Sequence, residues 1–457
     1  MGWLALAYAA VLWGISYWVS RRQNGEELDT FYVARRRGNW LWVGYSMVGT
    51  ALSGLTFISL PGSVRTDGWT YLQVVIGYFI GYLGIAYGLL PLYYRYARAS
   101  VYEYFRYTLG SWGEKTATCF FLLSRGIGSS LRLFLALWIL HYFFPTVPFT
   151  LLCAIVLGVI LIYTIRSGIA AIIYTDFFQT TVFLASAALT AYYIWKTPLT
   201  KCFKVPTVLE LSPTSPHFWL KDLLGGALIA FSMTGLDQDQ MQKNLSLPTL
   251  KEAQKNLLFY ATLLLPVNFL FLFLGSSLWA YLDCKDIHII RSDEAFLRVA
   301  QIEGPLLQAF FVWGVVAAAL SSADGTLAAL TTVTLRNLLP PHYERTRTKN
   351  FLLLGWTIIF WLLLWGYTYL PQEGHILGIF LKFSGYTYGP LLGLFLFSRI
   401  GSKNASGLRH VPWALPLLLG VSIGVEKVAG LNWGYGTILW IALWSWVGLW
   451  IITRVFR

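Results

Sequence analysis

The run Asn256-Leu-Leu-Phe-Tyr-Ala-Thr-Leu-Leu-Leu-Pro-Val-Asn-Phe-Leu-Phe-Leu-Phe-Leu-Gly-Ser-Ser-Leu-Trp-Ala-Tyr-Leu282 contains no charged residue. About 20 apolar residues wound as a helix cross the ~30 Å hydrocarbon core of a bilayer, and this run is long enough to do so. Four more charge-free runs, Met1–Ser20, Trp69–Tyr94, Phe177–Trp195 and Val428–Thr453, repeat the pattern, and Leu133–Ile165 is divided in two by Pro145 and Pro148. The composition agrees: of 457 residues 56% are hydrophobic and 12% charged, a balance that excludes a water-soluble enzyme with one core and a polar surface. Short strands with one polar face are not visible, which leaves helices rather than a barrel to satisfy the backbone in lipid.

Apolar blocks and their polar joints predict thirteen spans, at 2–20, 40–64, 69–94, 116–141, 148–165, 170–195, 221–241, 254–282, 305–336, 350–370, 374–398, 411–426 and 435–453. The expected fold class is an all-α polytopic membrane protein. Of the 34 Lys and Arg residues, 22 fall on one set of alternate loops and nine on the other, which by the positive-inside rule puts the N-terminus outside and the C-terminus in the cytoplasm. That asymmetry accounts for most of the net charge of +13, so no nucleic-acid partner is expected. The first run lacks a basic leader and is followed by Arg21 and Arg22, which marks a retained span rather than a signal peptide.

No extramembrane segment approaches domain size, so residues 1–457 read as one membrane domain. An N-terminal helix and cytoplasmic loop, 1–39, precede a five-span half, 40–196; a second half occupies 219–398, and two extra helices fill 399–457. An odd number of spans per half would invert the second relative to the first, the arrangement of many secondary transporters. A compact chain of this kind suits the inner (plasma) membrane of a bacterium, with no obligate protein partner. The four cysteines, Cys119, Cys153, Cys202 and Cys284, have neither zinc spacing nor a CxxC pair; Cys202 and Cys284 both fall in outer loops, where a disulfide can form. Phosphate-cradling GxxxxGK[ST] and HExxH patterns are absent, so neither ATP-driven transport nor an enzyme is expected.

Two stretches carry the chemistry. Gly49-Thr-Ala-Leu-Ser-Gly-Leu-Thr-Phe-Ile-Ser-Leu-Pro-Gly62 places glycines, hydroxyls and a proline inside the second span. Such a helix either unwinds, freeing carbonyls that a cation or polar solute can satisfy, or packs closely through its small residues. In Val315-Val-Ala-Ala-Ala-Leu-Ser-Ser-Ala-Asp-Gly-Thr-Leu327, Ala318, Ser321 and Ser322 stand at i, i+3 and i+4 on one helical face and offer oxygen ligands for a small hard cation. Asp324 adds a carboxylate near that face, and Asp176 lies in Tyr174-Thr-Asp-Phe-Phe-Gln179. A buried membrane aspartate needs a partner cation or basic group; the alternatives are a solvated cytoplasmic position for Asp176 and a salt bridge to an interior arginine for Asp324. Arg125, Arg132 and Lys382 are the three basic residues left inside spans, and the first two share a face seven residues apart. They either neutralise a substrate carboxylate or pair with Asp176, Asp324 or free carbonyls.

Taken in order, these motifs are familiar. Phe31-Tyr-Val-Ala-Arg-Arg36, Ser53-Gly54 with Pro61-Gly62, Tyr174-Thr-Asp176 with Gln179, Asp237-Gln-Asp-Gln-Met-Gln-Lys243, Ala318-Ala-Leu-Ser-Ser-Ala-Asp324 and Gly385-Tyr-Thr-Tyr-Gly-Pro390 cover almost the whole chain. The chain resembles the sodium/solute symporter family, which contains sodium-coupled sugar, proline, pantothenate and sialic acid transporters. The resemblance implies a LeuT-type five-plus-five inverted repeat and Na+ held between the second and ninth spans by backbone oxygens of Gly49, Leu52 and Ala318 and hydroxyls of Ser321 and Ser322. It also implies that Asp176 supports sodium coupling, near that ion or in an additional site, and that Asp324 and Gly325 stand where relatives with a second sodium have serines; Asp324 then replaces those hydroxyls or binds a proton.

For the solute, Ser53, Thr56 and Gln73 match positions that face ligand in the family, and Lys382 stands where sugar transporters present a glutamine. With Arg125 and Arg132, these residues imply an acidic sugar such as sialic acid. The expected function is sodium-coupled symport of a small polar solute across the bilayer by alternating access. Proton coupling through Asp324, a membrane sensor and an ion-conducting protein of the same fold are the competing readings.

Overall fold

The computed structural model describes residues 2–22, 28–52, 54–197, 202–204, 206–215, 217–369, 376–400, 408–428 and 436–455. Among them there is no strand. The helices are α1 (Gly2–Arg22), α2 (Leu28–Val33), α3 (Trp40–Ala51), α4 (Gly54–Asp67), α5 (Tyr71–Tyr96), α6 (Glu103–Phe143), α7 (Phe149–Ser167), α8 (Ile169–Trp195) and α9 (Trp219–Met233). They continue with α10 (Gln238–Leu245), α11 (Leu250–Cys284), α12 (Ala295–Glu303), α13 (Pro305–Leu338), α14 (Thr346–Tyr367), α15 (Ile376–Ile400), α16 (Val411–Val428) and α17 (Thr437–Val455).

Nine of the described helices are long and apolar enough to cross a membrane, or ten when the bent pair α3 and α4 counts as one span. The thirteen spans expected are not reached by that measure; α1, α9 and α15 coincide with the other three expected positions but fall outside the set. The prolines act as anticipated, since α6 stops at Phe143 and α7 begins at Phe149, around Pro145 and Pro148. The seventh span departs from expectation. It is two helices, α9 and α10, because Asp237 adopts extended backbone (φ −99°, ψ 123°) and caps a new helix by accepting from the Gln240 amide at 3.1 Å.

Burial separates a centre from a periphery. In the most apolar stretch of α6, 78% of residues are buried, against 22% in α14, which presents Phe351, Ile358, Leu362 and Trp365 outward. The centre is formed by α3, α6, α8 and α13. Beside it, α5 and α9 approach through glycine: a Cβ on Gly77 would stand 2.1 Å from the Leu223 carbonyl, and one on Gly226 2.1 Å from that of Val74. On the outer connections Cys202 and Cys284 form a disulfide across 82 residues, with Cα atoms 5.6 Å apart, as their placement allowed.

Candidate ion and solute site

Helix α3 ends where the sequence is richest in breakers. Leu52 is extended (φ −87°, ψ 104°), and the helix that resumes is bent by 61° from α3. Both elements approach their neighbours too closely for a side chain at Gly49, where a Cβ would lie 2.1 Å from Thr180 Oγ1 on α8. The Gly49 carbonyl instead accepts a hydrogen bond from Ser321 Oγ of α13 at 3.2 Å. Ser321 Oγ also lies 3.4 Å from the Ala318 carbonyl, to which Ser322 Oγ donates at 2.8 Å. Gly49, Leu52, Ala318, Ser321 and Ser322 are all buried. The arrangement brings together the Gly49 and Ala318 carbonyls and the Ser321 and Ser322 hydroxyls, four of the five oxygens expected of the first cation site, while Leu52 stands at the break itself. A set of carbonyls and hydroxyls without sulfur or imidazole fits a hard monovalent ion.

Asp176 is fully buried on α8, which removes the solvated alternative. Its Oδ2 accepts from Thr50 Oγ1 at 3.0 Å and pairs with the ammonium of Lys243, which also reaches Thr50 Oγ1 and, at 3.4 Å, the Ser46 carbonyl. Asp176 Oδ1 has no hydrogen-bond partner among the described residues. Lys243 itself is wholly buried, although the loop charge pattern had placed it with solvated cytoplasmic lysines. Asp324 meets neither an arginine nor the α3 break: Tyr163 of α7 donates to Oδ2 at 2.8 Å and its neighbour's amide, Gly325 N, to Oδ1 at 2.6 Å.

A cavity of about 160 Å³ adjoins the break, walled by Thr50, Ala51, Leu52 and Thr56 on one side and Arg125, Arg132, Met233 and Gln240 on others. Four tyrosines also line it, paired as Tyr71 with Tyr78 (3.0 Å between hydroxyls) and Tyr82 with Tyr260 (3.1 Å). Arg132 is buried there, with Nη2 donating to Ser129 Oγ at 3.2 Å, and Gln240 Oε1 has no hydrogen-bond partner among the described residues.

Arg125 lies closer to protein carboxylates than expected. It donates to Asp239 Oδ2 at 2.7 Å and stands 3.5 Å from Asp237 Oδ2, which Tyr388 also engages. Neither Asp176 nor Asp324 is its partner; the two aspartates of the α9–α10 break are. Their capping role is the signal that could have found them. Gln73 stands apart from these side chains. Its Nε2 donates to the His217 carbonyl and its Oε1 accepts from the Glu210 amide, each at 3.4 Å, so it ties α5 to an outer loop and does not line the cavity. Ser53 lies outside the described residues, as does the side chain of Lys382.

Comparison with known proteins points the same way as the broken helices and the oxygen cluster. The chain is 27% identical over 389 residues to the sodium-dependent multivitamin transporter of Oryctolagus cuniculus, covering 79% of this chain and 60% of that protein, so it spans about three fifths of that relative's length. It is 24% identical to the sodium/sialic acid symporter NanT of Aliivibrio fischeri, over 89% of this chain and 85% of NanT. A solved Na+-coupled sialic acid symporter, substrate-bound and outward-open, superposes with a TM-score of 0.82 at 18% identity, covering 99% of this chain and 97% of that one, which establishes the LeuT-type fold. The model of the sodium:solute symporter family matches residues 31–407, a stretch that takes in both helix breaks and the oxygen cluster between α3 and α13, and the chain belongs to that family.

Proposed function

We propose that the chain is a sodium-coupled symporter that imports a small organic carboxylate, with the acidic sugar sialic acid the first candidate. One observation carries this reading. The segment at the α3 break, 49–52, whose Gly49 carbonyl meets Ser321, also supplies Thr50, Ala51 and Leu52 to the wall of the arginine-containing cavity. An ion bound to Gly49, Leu52, Ala318, Ser321 and Ser322 fixes that wall, so ion and solute each raise the other's affinity by the same factor. Arg132 presents a planar guanidinium for the carboxylate, the tyrosines pack the carbon skeleton, and Gln240 Oε1 accepts from a solute hydroxyl or amide. The cavity is below the ~300 Å³ at which pockets for drug-sized ligands begin, which favours small acids unless the outer half-helices move apart.

Lys243 already places a cation on Asp176, so a single sodium ion accompanies each solute. The halves 40–196 and 219–398 each open on a broken helix, α3–α4 and α9–α10, and would rock about the site as inverted repeats, with the N-terminus outside and the C-terminus in the cytoplasm. The test is uptake of labelled sialic acid and shorter carboxylates into proteoliposomes with and without an inward sodium gradient. Sodium-dependent uptake that falls about tenfold in Ser322→Ala supports the reading, since one lost ligand of about 1.4 kcal/mol corresponds to that factor. Uptake indifferent to sodium for every solute, together with a response to a proton gradient that Asp324→Asn abolishes, would replace sodium by protons.

A further inference from the structure

At the end of the molecule that carries the arginine-rich loops, a second and larger cavity of about 800 Å³ lies between α2, the turn after it, the end of α5 and the start of α6. Arg35, Arg36, Arg95, Arg98 and Arg336 line it, against one lining carboxylate, Asp29. Arg336 is held by Glu103 at 2.9 Å and Glu344 at 2.9 Å; neither glutamate lines the cavity. Arg95 and Arg98 are exposed.

The backbone here is unusual. Ala34, Arg35 and Arg36 are consecutive non-glycine residues in the left-handed region, with φ of 48°, 53° and 53°. L-residues enter that region singly, at a cost, and three in succession persist only where the surroundings hold them. They are held by Arg36 Nη2 donating to the carbonyls of Ala97 (3.2 Å) and Arg98 (3.3 Å), by Arg35 Nε donating to Thr30 Oγ1 (3.1 Å), and by Gly38 N on the Ser246 carbonyl (3.0 Å). An excess of arginine on cytoplasmic loops explains the number of guanidiniums; it explains neither their convergence on one cavity nor the strained turn that directs two of them there. The rim is aromatic. Tyr96 and Tyr107 pack at 5.5 Å, Tyr107 is 68% exposed, and the Arg95 guanidinium lies 5.2 Å from the Tyr96 ring centre, a grouping that belongs at the level of lipid headgroups.

We propose that this basin binds a phosphate-bearing anion, supplied by the headgroup of an anionic phospholipid, separately from the transported ion and solute. Guanidinium forks match phosphate oxygens, and basic pockets at the ends of membrane helices are where such headgroups are captured. The test uses the purified full chain in detergent and follows thermal stabilisation and binding on titration with short-chain phosphatidylglycerol, short-chain phosphatidylcholine or inorganic pyrophosphate. The variant is Arg95→Gln with Arg98→Gln, which leaves the bonds of the left-handed turn intact; the control is Arg345→Gln with Arg347→Gln, exposed residues outside the cavity that remove the same charge.

The expected result is saturable binding of phosphatidylglycerol, not of phosphatidylcholine, weakened about thirty-fold in the variant and little in the control. Pyrophosphate binding with the same dependence on Arg95 and Arg98, and no preference between the two lipids, would keep the phosphate site and overturn the lipid source. Equal loss in variant and control, or no anion preference in wild-type protein, would overturn the site. Should the double variant melt below wild type without ligand, Arg98→Gln alone is titrated in its place. The measurement uses neither sodium nor transported solute, so its failure is distinct from failure of the transport reading.

Discussion

Asp176 and Lys243 form a fully buried ion pair bonded to Thr50, one residue from the carbonyl that Ser321 reaches. Removing one partner leaves a charge in a low-dielectric interior, and such losses cost about 3–5 kcal/mol, whereas replacing both by apolar residues of similar size is nearly neutral. Lys243→Met and Asp176→Leu are each expected to lower the melting temperature of the purified protein sharply, and the double variant to recover most of the loss. A double variant no more stable than the singles would show that the two residues act separately. Part of this site was legible: Ala318, Ser321 and Ser322 share a face by helical spacing, and the breakers mark the stretch 49–62, within which only the family resemblance singled out Gly49. Lys243 was not, because a lysine next to a polar loop looks solvated until the chain is seen to fold it beneath α3. Arg125 was recognised as interior, but its partners could not be chosen by spacing, since Asp237 and Asp239 reach it across more than a hundred residues.

At the scale of elements, apolar runs and prolines located nearly every helix, while the break between α9 and α10 passed unread because the expected span, 221–241, runs straight through the polar residues after Met233. Every residue of α10 is buried, so its side chains must find protein partners: Gln238 bonds the Ala99 carbonyl and the Val101 amide, and Gln242 the Tyr32 carbonyl and Thr332. Asp237 serves this element twice, capping α10 through Oδ1 and facing Arg125 and Tyr388 through Oδ2. Asp237→Asn keeps a capping oxygen and loses the charge; Asp237→Ala loses both. The alanine variant is expected to be the less stable by about 1 kcal/mol, the typical worth of an N-cap. Equal melting temperatures for the two variants would remove the cap from the account of why the seventh span breaks there.

For the whole molecule, the proposed symport makes the Lys243 ammonium the group that sets the response to voltage. One sodium ion carried with a monovalent carboxylate moves no net charge, because the fixed cation on Asp176 stays with the protein. A second sodium would add one charge, and each charge crossing 100 mV contributes ~2.3 kcal/mol, or about fifty-fold in accumulation. In proteoliposomes clamped by a potassium gradient and valinomycin, an interior potential of about −100 mV is therefore expected to leave the steady-state accumulation of a monovalent solute nearly unchanged at a fixed sodium gradient. An increase approaching fifty-fold would mean that a second cation travels, and that the ammonium does not occupy Asp176 throughout the cycle. The same experiment on Lys243→Met with Asp176 intact separates these cases: with the tethered cation gone, a mobile sodium could take its place on the carboxylate, and transport would become voltage-dependent only in the variant.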